Sequence, residues 1–351
     1  EFADFVETFG RVAIPKELPY CFFVEGGALA VENALKTAFD WKTRKNWQKG
    51  SKTEGSMAIH FKQAFHGRSG YTLSLTNTSD PRKYQYFPLF DWPRIINPKL
   101  HFPITEENLQ ETIKNEQLAL VEIEQAILMN PDKVSCIIIE VIQAEGGDNH
   151  FRDEFFVELR KICDENDILL IFDEVQTGIG ITGKMWAFQN FSVVPDVISF
   201  GKKTQVCGIL ANKEKLNQVE HHVFAESSRI NSTFGGNFID MLRFQLVLEI
   251  IEKENLLENV QKQGDFLLKG LQNLQEKYPQ LISNARGKGL MCAFDLPTGE
   301  IRKDFQEKLY EENVIILICG DCSLRFRPHL NVSQEDLQFA LDKIEKIVQK
   351  Y

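Results

Sequence analysis

The strongest constraint in this sequence is a set of short apolar runs that each stop on a polar residue or a glycine. Ser135-Cys-Ile-Ile-Ile-Glu140, Ile168-Leu-Leu-Ile-Phe-Asp173 and Asp196-Val-Ile-Ser-Phe-Gly201 show almost no apolar–polar alternation. Strands that read this way are buried on both faces. Between the first two runs, Phe155, Phe156, Leu159, Ile162 and Cys163 recur at helical spacing. Buried strands alternating with amphipathic helices predict an α/β chain built on a mostly parallel, doubly wound sheet. Such sheets bind ligands just beyond the C-terminal ends of their strands. Polar residues gather at those ends: Gly26-Gly27 after Tyr20–Val24, Glu140 to Gly147, Asp173 to Gln176, and Gly201 to Lys203.

The rest of the chain reads in the same way. Gly26-Gly27 opens a helix running towards Trp47, and Met57 to Phe61 is a further strand. Thr105 caps a helix that continues to about Asn130. After Asn237 one long helical pattern runs to about Tyr278. A smaller α+β segment follows, with strands at Gly289–Leu296, Val314–Cys319 and Ser323–Phe326, a helix at Arg302–Asn313, and a last helix capped by Ser333 with Asp336. The expected division is a large domain over 1–250 and a small C-terminal domain over 251–351, in keeping with the chain's length of 351 residues.

Composition narrows the partners. A formal net charge of −10 argues against non-specific nucleic-acid binding, which needs clustered Lys and Arg. No apolar run approaches the length of a membrane span, so no membrane partner is expected. Seven cysteines, an odd and thin supply, fit reduced thiols and a cytoplasmic location. Cys319-Gly-Asp-Cys322 has metal-site spacing but no second ligand pair, so it reads as two thiols in a turn and no metal is expected. No Gly-x-Gly-x-x-Gly follows any of the strands, which removes a dinucleotide-binding reading.

Three features of the expected sheet edge carry chemistry. Lys202 follows one buried strand, Asp173 ends another, and Gly26-Gly27-Ala28 enters a helix. Taken alone, Lys202 also reads as a solvated loop lysine, Asp173 as a cap or ion-pair residue, and Gly-Gly as a weak signal. Asp173 and Lys202 together are more specific. Pyridoxal phosphate needs a lysine for its aldehyde, a carboxylate for its ring nitrogen, and a helix N-terminus for its phosphate.

Phe172-Asp-Glu-Val-Gln-Thr-Gly178, followed by Asp196-Val-Ile-Ser-Phe-Gly-Lys202, resembles the signature of the class III (ornithine and GABA type) aminotransferases. Further words spread over the chain: Phe23-Val-Glu-Gly-Gly-Ala28, Ala64-Phe-His-Gly-Arg68, Gly201-Lys-Lys-Thr-Gln-Val-Cys-Gly208, Asn231-Ser-Thr-Phe-Gly-Gly-Asn237 and Leu324-Arg-Phe-Arg-Pro328. Within the class they are similar to the lysine ε-aminotransferase branch. The resemblance implies a fold-type I transferase that moves the ε-amino group of L-lysine to 2-oxoglutarate. It implies Lys202 as the Schiff-base lysine and proton carrier, and Asp173 on the pyridine nitrogen. Gln176 would approach the ring hydroxyl, with Val175 and Phe65 on the two ring faces. Gly27 and Ala28 would hold the phosphate, and Ser232 and Thr233 would reach the phosphate of a second subunit, making a homodimer. Arg68 and Arg325 would bind substrate carboxylates, Glu145 would neutralise Arg325 when only one carboxylate is present, and Glu140 would support the site from behind. The chain departs from the usual pattern at Val141, Ala144 and Phe234, and the resemblance implies a further N-terminal segment ahead of Phe2. Another amine donor of the same class, or a cofactor-binding relative without activity, stays open at this level.

Overall fold

The computed structural model describes residues 1–351. Helix α1 (Phe2–Val12) leads to strand β1 (Tyr20–Val24), helix α2 (Gly27–Gln48) and strand β2 (Met57–Phe61). A short helix α3 (Gly70–Leu75), an irregular stretch and the two-residue strand β3 (Arg94–Ile95) precede helix α4 (Glu106–Met129). Then come β4 (Val134–Glu140), α5 (Asp153–Glu165), β5 (Leu169–Asp173), β6 (Val197–Phe200), β7 (Cys207–Ala211) and the single turn α6 (Lys213–Leu216). Helices α7 (Phe238–Lys253) and α8 (Leu256–Lys277) lead to β8 (Ser283–Lys288), β9 (Met291–Asp295), α9 (Gly299–Glu311), β10 (Leu317–Cys319), β11 (Ser323–Arg325) and α10 (Gln334–Val348).

The seven-stranded sheet has the order β1-β7-β6-β5-β4-β2-β3. Only β7 opposes its neighbours; the others run parallel. Burial on both faces is visible residue by residue. Ile137, Ile139, Leu170 and Phe172 enter a core shared with α1, α5 and α7. Their neighbours Cys136, Ile138, Leu169 and Ile171 enter a second core under α2. Side chains alternate across a strand, so a strand apolar at every position feeds both layers.

β7, which the sequence reading did not mark, has a direct consequence for the site. An antiparallel neighbour needs only a short connection, whereas a parallel one needs a crossover. Residues 201–206 therefore turn back at the C-terminal end of β6 and stay there. The C-terminal end of β1 lies at the same edge, because β1 opposes β7. Lys202 and Gly27 are brought together in this way: a Cβ on Gly201 would stand 3.4 Å from the Gly27 Cα.

The small sheet, of order β10-β11-β9-β8, is antiparallel throughout and packs with α8, α9 and α10 around a third core. The structure corrects one expectation here. The helical pattern expected from Asn237 to Tyr278 is broken, with Asn255 at φ +50° between α7 and α8. Met241, Phe244, Leu248 and Ile251 of α7 pack into the large-sheet core, while Val260, Leu267, Leu271 and Leu274 of α8 pack under the small sheet. A single straight helix cannot serve both. The caps on Thr105 and Ser333 form as expected, each side-chain oxygen accepting from the backbone N–H three residues on.

Asparagine tolerates the left-handed region and β-branched residues do not. The Asn255 side chain makes no capping bond. Asn255→Gly should therefore leave the urea midpoint nearly unchanged, whereas Asn255→Val should lower stability by about 1–2 kcal/mol. Equal loss in both variants would mean the side chain, not the backbone angle, matters.

Candidate active site

Parallel pairing sets the base of the site. Glu140 of β4 is in register with Asp173 of β5, and Asp173 with Ser199 of β6. The three polar side chains form a row across the C-terminal edge of the sheet. Asp173 is buried at 4% exposure, and a buried carboxylate is costly unless its oxygens are bonded. Its Oδ1 accepts from the Ser199 hydroxyl at 2.9 Å and from the Val175 N–H at 3.1 Å. Its Oδ2 lies 2.8 Å from His66 Nδ1. The second ring nitrogen, His66 Nε2, is buried and has no partner. Three partners leave lone-pair capacity on Asp173 for one more donor.

Glu140 sits beside this pair. Its two oxygens accept from the backbone N–H groups of Phe65 and Ala144 at 2.8 and 3.2 Å. Burial drives its carboxyl up to about 7; the field of His66 opposes the rise and Asp173 adds to it. Lys202 stands across from the row, with φ +54°. A left-handed lysine is strained, and strain of this kind gathers at functional sites. Beneath it, Lys203 donates to the Gln176 carbonyl at 2.6 Å. Desolvation, with the fields of Arg327 and Lys202 added, lowers that ammonium to about 7.

The rim is the N-terminus of α2, whose first N–H groups have no helical acceptor and attract anions. The backbone is close to its neighbours here: a Cβ on Gly27 would meet Val175 Cγ1 at 2.9 Å. One cavity of about 370 Å³ is lined by Gly27, Ala28, Phe65, Arg68, Glu140, Asp173, Val175, Gln176 and Lys202, together with His66, Gly67 and Ser69. Nine residues singled out from the sequence thus share one space.

Four do not line it. Arg325, on β11, is nearly buried and reaches Gln176 Oε1 at 3.3 Å and Glu145 Oε2 at 3.5 Å, while its Nε has no partner. Glu145 lines a neighbouring polar cavity. Ser232 and Thr233 lie in a partly exposed turn away from the cavity, beside Phe234, which is 87% exposed. Cys319 and Cys322 flank the turn between β10 and β11, and all seven cysteines are free thiols.

Sequence reasoning did not assign His66, Ser199, Lys203, Arg327 or Asp148. His66 lies inside a word that was read, between Phe65 and Arg68. Ser199 was reachable only through strand register. Arg327 follows Arg325 by two residues, on the same side of the chain. It pairs with Asp148 and donates from Nε to Gln176 Oε1 at 3.1 Å. Two guanidiniums therefore occupy the side-chain oxygen of Gln176, leaving its side-chain amide nitrogen as the donor.

The class III aminotransferase family model matches residues 1–348. The chain belongs to the class III aminotransferases. As such it is a pyridoxal-phosphate-dependent transaminase. It is 49% identical over 340 residues to an L-lysine-epsilon aminotransferase of Mycobacterium tuberculosis, covering 97% of this chain and 75% of that one. A Streptomyces clavuligerus protein of the same name is 45% identical over 348 residues, covering 99% and 76%. A solved lysine aminotransferase from M. tuberculosis superposes with a TM-score of 0.95 at 48% identity, covering 99% of this chain and 79% of that one. The cavity suits the class III cofactor: an anion-attracting helix end packed too closely for a side chain, a bonded carboxylate with spare capacity, and an orphaned histidine nitrogen behind it.

The raised carboxyl of Glu140 gives a pH signature. A group whose folded pKa exceeds its unfolded value stabilises fully below the unfolded value, and that stability drains as pH rises to the folded value. Relative to Glu140→Gln, the cofactor-free wild-type chain should lose about 3 kcal/mol between pH 4.5 and pH 7 and nothing more above it. Parallel stability curves for the two proteins over that window would contradict it.

Proposed function

We propose that this chain transfers the ε-amino group of L-lysine to 2-oxoglutarate, giving 2-aminoadipate 6-semialdehyde and L-glutamate. The observation that carries this reading is the second arginine. Arg68 is exposed at the mouth of the cavity, and Arg325 is held behind Gln176 by Glu145. L-Lysine, reacting through its far end, brings one carboxylate, which Arg68 takes. 2-Oxoglutarate brings two, and Arg325 takes the second once Glu145 moves aside. Neither substrate then leaves a buried charge unpaired. The names of the relatives point the same way.

Pyridoxal phosphate, when bound, supplies an aldehyde for the amine and a ring that delocalises the electron pair left by a departing proton. Lys202 Nζ would hold the cofactor and carry the proton of the L-lysine carbon that bears the reacting amine. Asp173, steadied by His66 and Ser199, would keep the ring nitrogen protonated. Val175 and Phe65 would pack against the ring, Gln176 would donate to its hydroxyl, and Gly27 and Ala28 would offer N–H groups to the phosphate. Glu140 fixes the Phe65 backbone. Ser232 and Thr233, which do not line their own cavity, serve the phosphate of a second copy, so the working unit is a homodimer. The seven free thiols suit the cytoplasm, and no helix is long and apolar enough to cross a membrane. Residues 1–250 and 251–351 form the two domains, meeting near the break at Asn255.

The test is the visible spectrum of the purified, cofactor-loaded protein before and after L-lysine. A cofactor band that bleaches with L-lysine and returns with 2-oxoglutarate is expected. Response only to ornithine, 4-aminobutyrate or a diamine would keep the class and overturn the substrate, and a band that answers no amine would indicate a binding relative without activity. Lys202→Ala should lower turnover by at least about a hundredfold, the low end of what a positioned proton carrier contributes. Retained turnover in that variant would remove Lys202 from its role.

A further inference from the structure

The switch carboxylate, Glu145, has two cationic partners, and the second belongs to no motif. Its Oε2 lies 3.5 Å from Arg325, while its Oε1 lies 2.9 Å from the ammonium of Lys83. The lysine contact is the shorter; Arg325 is nearly buried and Lys83 partly exposed. Lys83 ends a short 3-10 turn, Pro81–Lys83. Its neighbour Arg82 is committed elsewhere, with its Nε and one terminal nitrogen on Asp80 at 2.8 and 2.9 Å. Arg302, in the same polar cavity, donates to the Gly320 carbonyl and makes no ion pair with Glu145. Lys83 is thus the cation already in contact with Glu145 on the side away from Arg325, and its ammonium also stands 5.8 Å from the Phe65 ring.

The backbone around Glu145 is fixed. Its carbonyl accepts from the Gly320 N–H at 2.8 Å. The next residue, Gly146, lies so close to Gln63 that a Cβ there would fall 2.1 Å from the Gln63 carbonyl oxygen. Any shift of the Glu145 charge is therefore a rotation of the side chain.

We propose that Lys83 is a positioning residue that holds Glu145 when it leaves Arg325, and so sets the preference for dicarboxylates. The proposal rests on the reading of Arg325 as the second carboxylate site. Without Lys83, a dicarboxylate would have to push Glu145 off Arg325 with no ion-pair partner in place to receive it, and an unpaired, half-buried carboxylate is costly. With Lys83, Arg325 exchanges one carboxylate for another, and Glu145 keeps a partner throughout. A substrate with one carboxylate leaves the Glu145–Arg325 contact intact and does not draw on Lys83.

Calorimetry on the cofactor-loaded protein tests this with two inert probes of equal chain length, glutarate and valerate. Lys83→Met should weaken glutarate about fivefold, the worth of a partly exposed ion pair, and valerate less than twofold. Lys83→Arg should restore glutarate binding. On a Glu145→Gln background, Lys83→Met should leave glutarate binding within twofold, because no charge remains to be held. In turnover, the KM for 2-oxoglutarate should rise while that for the amine donor stays. Unchanged glutarate binding in Lys83→Met would overturn the proposal. So would equal loss for both probes, or an undiminished loss on the Glu145→Gln background, which would place Lys83 on the substrate itself or in the fold. The binding measurement does not depend on which amine is the donor, so a failure of the L-lysine assignment remains separate.

Discussion

A buried carboxylate at the end of a strand is the interaction on which the rest depends. Asp173 lies where β5 leaves the sheet, withdrawn from water, and such a charge needs donors on every side. The neighbouring parallel strand supplies Ser199, the chain just after β5 supplies the Val175 N–H, and a segment over a hundred residues earlier supplies His66. The His66 ring is placed by its own backbone, whose N–H donates to Thr76. The preceding residue, Phe65, is held by Glu140. A single charge therefore ties β6, the start of the loop after β5 and the segment of His66 together at one edge of the sheet.

The reversal at β7 does the complementary work. A further parallel strand would have carried the chain after Lys202 into a crossover helix, away from the edge. The antiparallel return keeps Gly201, next to Lys202, close against Gly27, with Val175 packed beside both. Two residues in the left-handed region, Lys202 and Gln205, make so short a return possible.

Much of this was legible in the residues. Each run that is apolar throughout is a buried strand, and the polar residues that close them meet in one cavity, because parallel strands present their C-termini together. Thr105 and Ser333 cap their helices through local chemistry that needs no tertiary knowledge. What stayed hidden depends on partners distant in sequence. The His66–Asp173 contact spans 107 positions and has no spacing rule. Lys83 lies in a stretch rich in turn formers, where periodicity is silent. β8, Ser283-Asn-Ala-Arg-Gly-Lys288, is a strand by pairing, with almost no apolar alternation to announce it. The break at Asn255 was masked because helical spacing continues on both sides, and only the change of core reveals it. Helix α1 was a different case: Phe2, Phe5, Phe9 and Val12 do recur at helical spacing, and that signal was in the sequence.

Asn255 also marks where the chain leaves one core for another, and the two arginines proposed for a substrate's carboxylates fall on opposite sides of that joint. Lys202, Asp173 and Arg68 are carried by the large sheet and its loops, whereas Arg325 is carried by the small sheet. On the proposed reading, a molecule with a carboxylate at each end, held by Arg68 and Arg325, would be a strut between two separately packed bodies. Its length would then be gauged against the spacing of those bodies as well as against the shape of the cavity wall. A homologue could change the chain length it accepts by altering how the bodies pack, with every residue that touches the substrate left as it is.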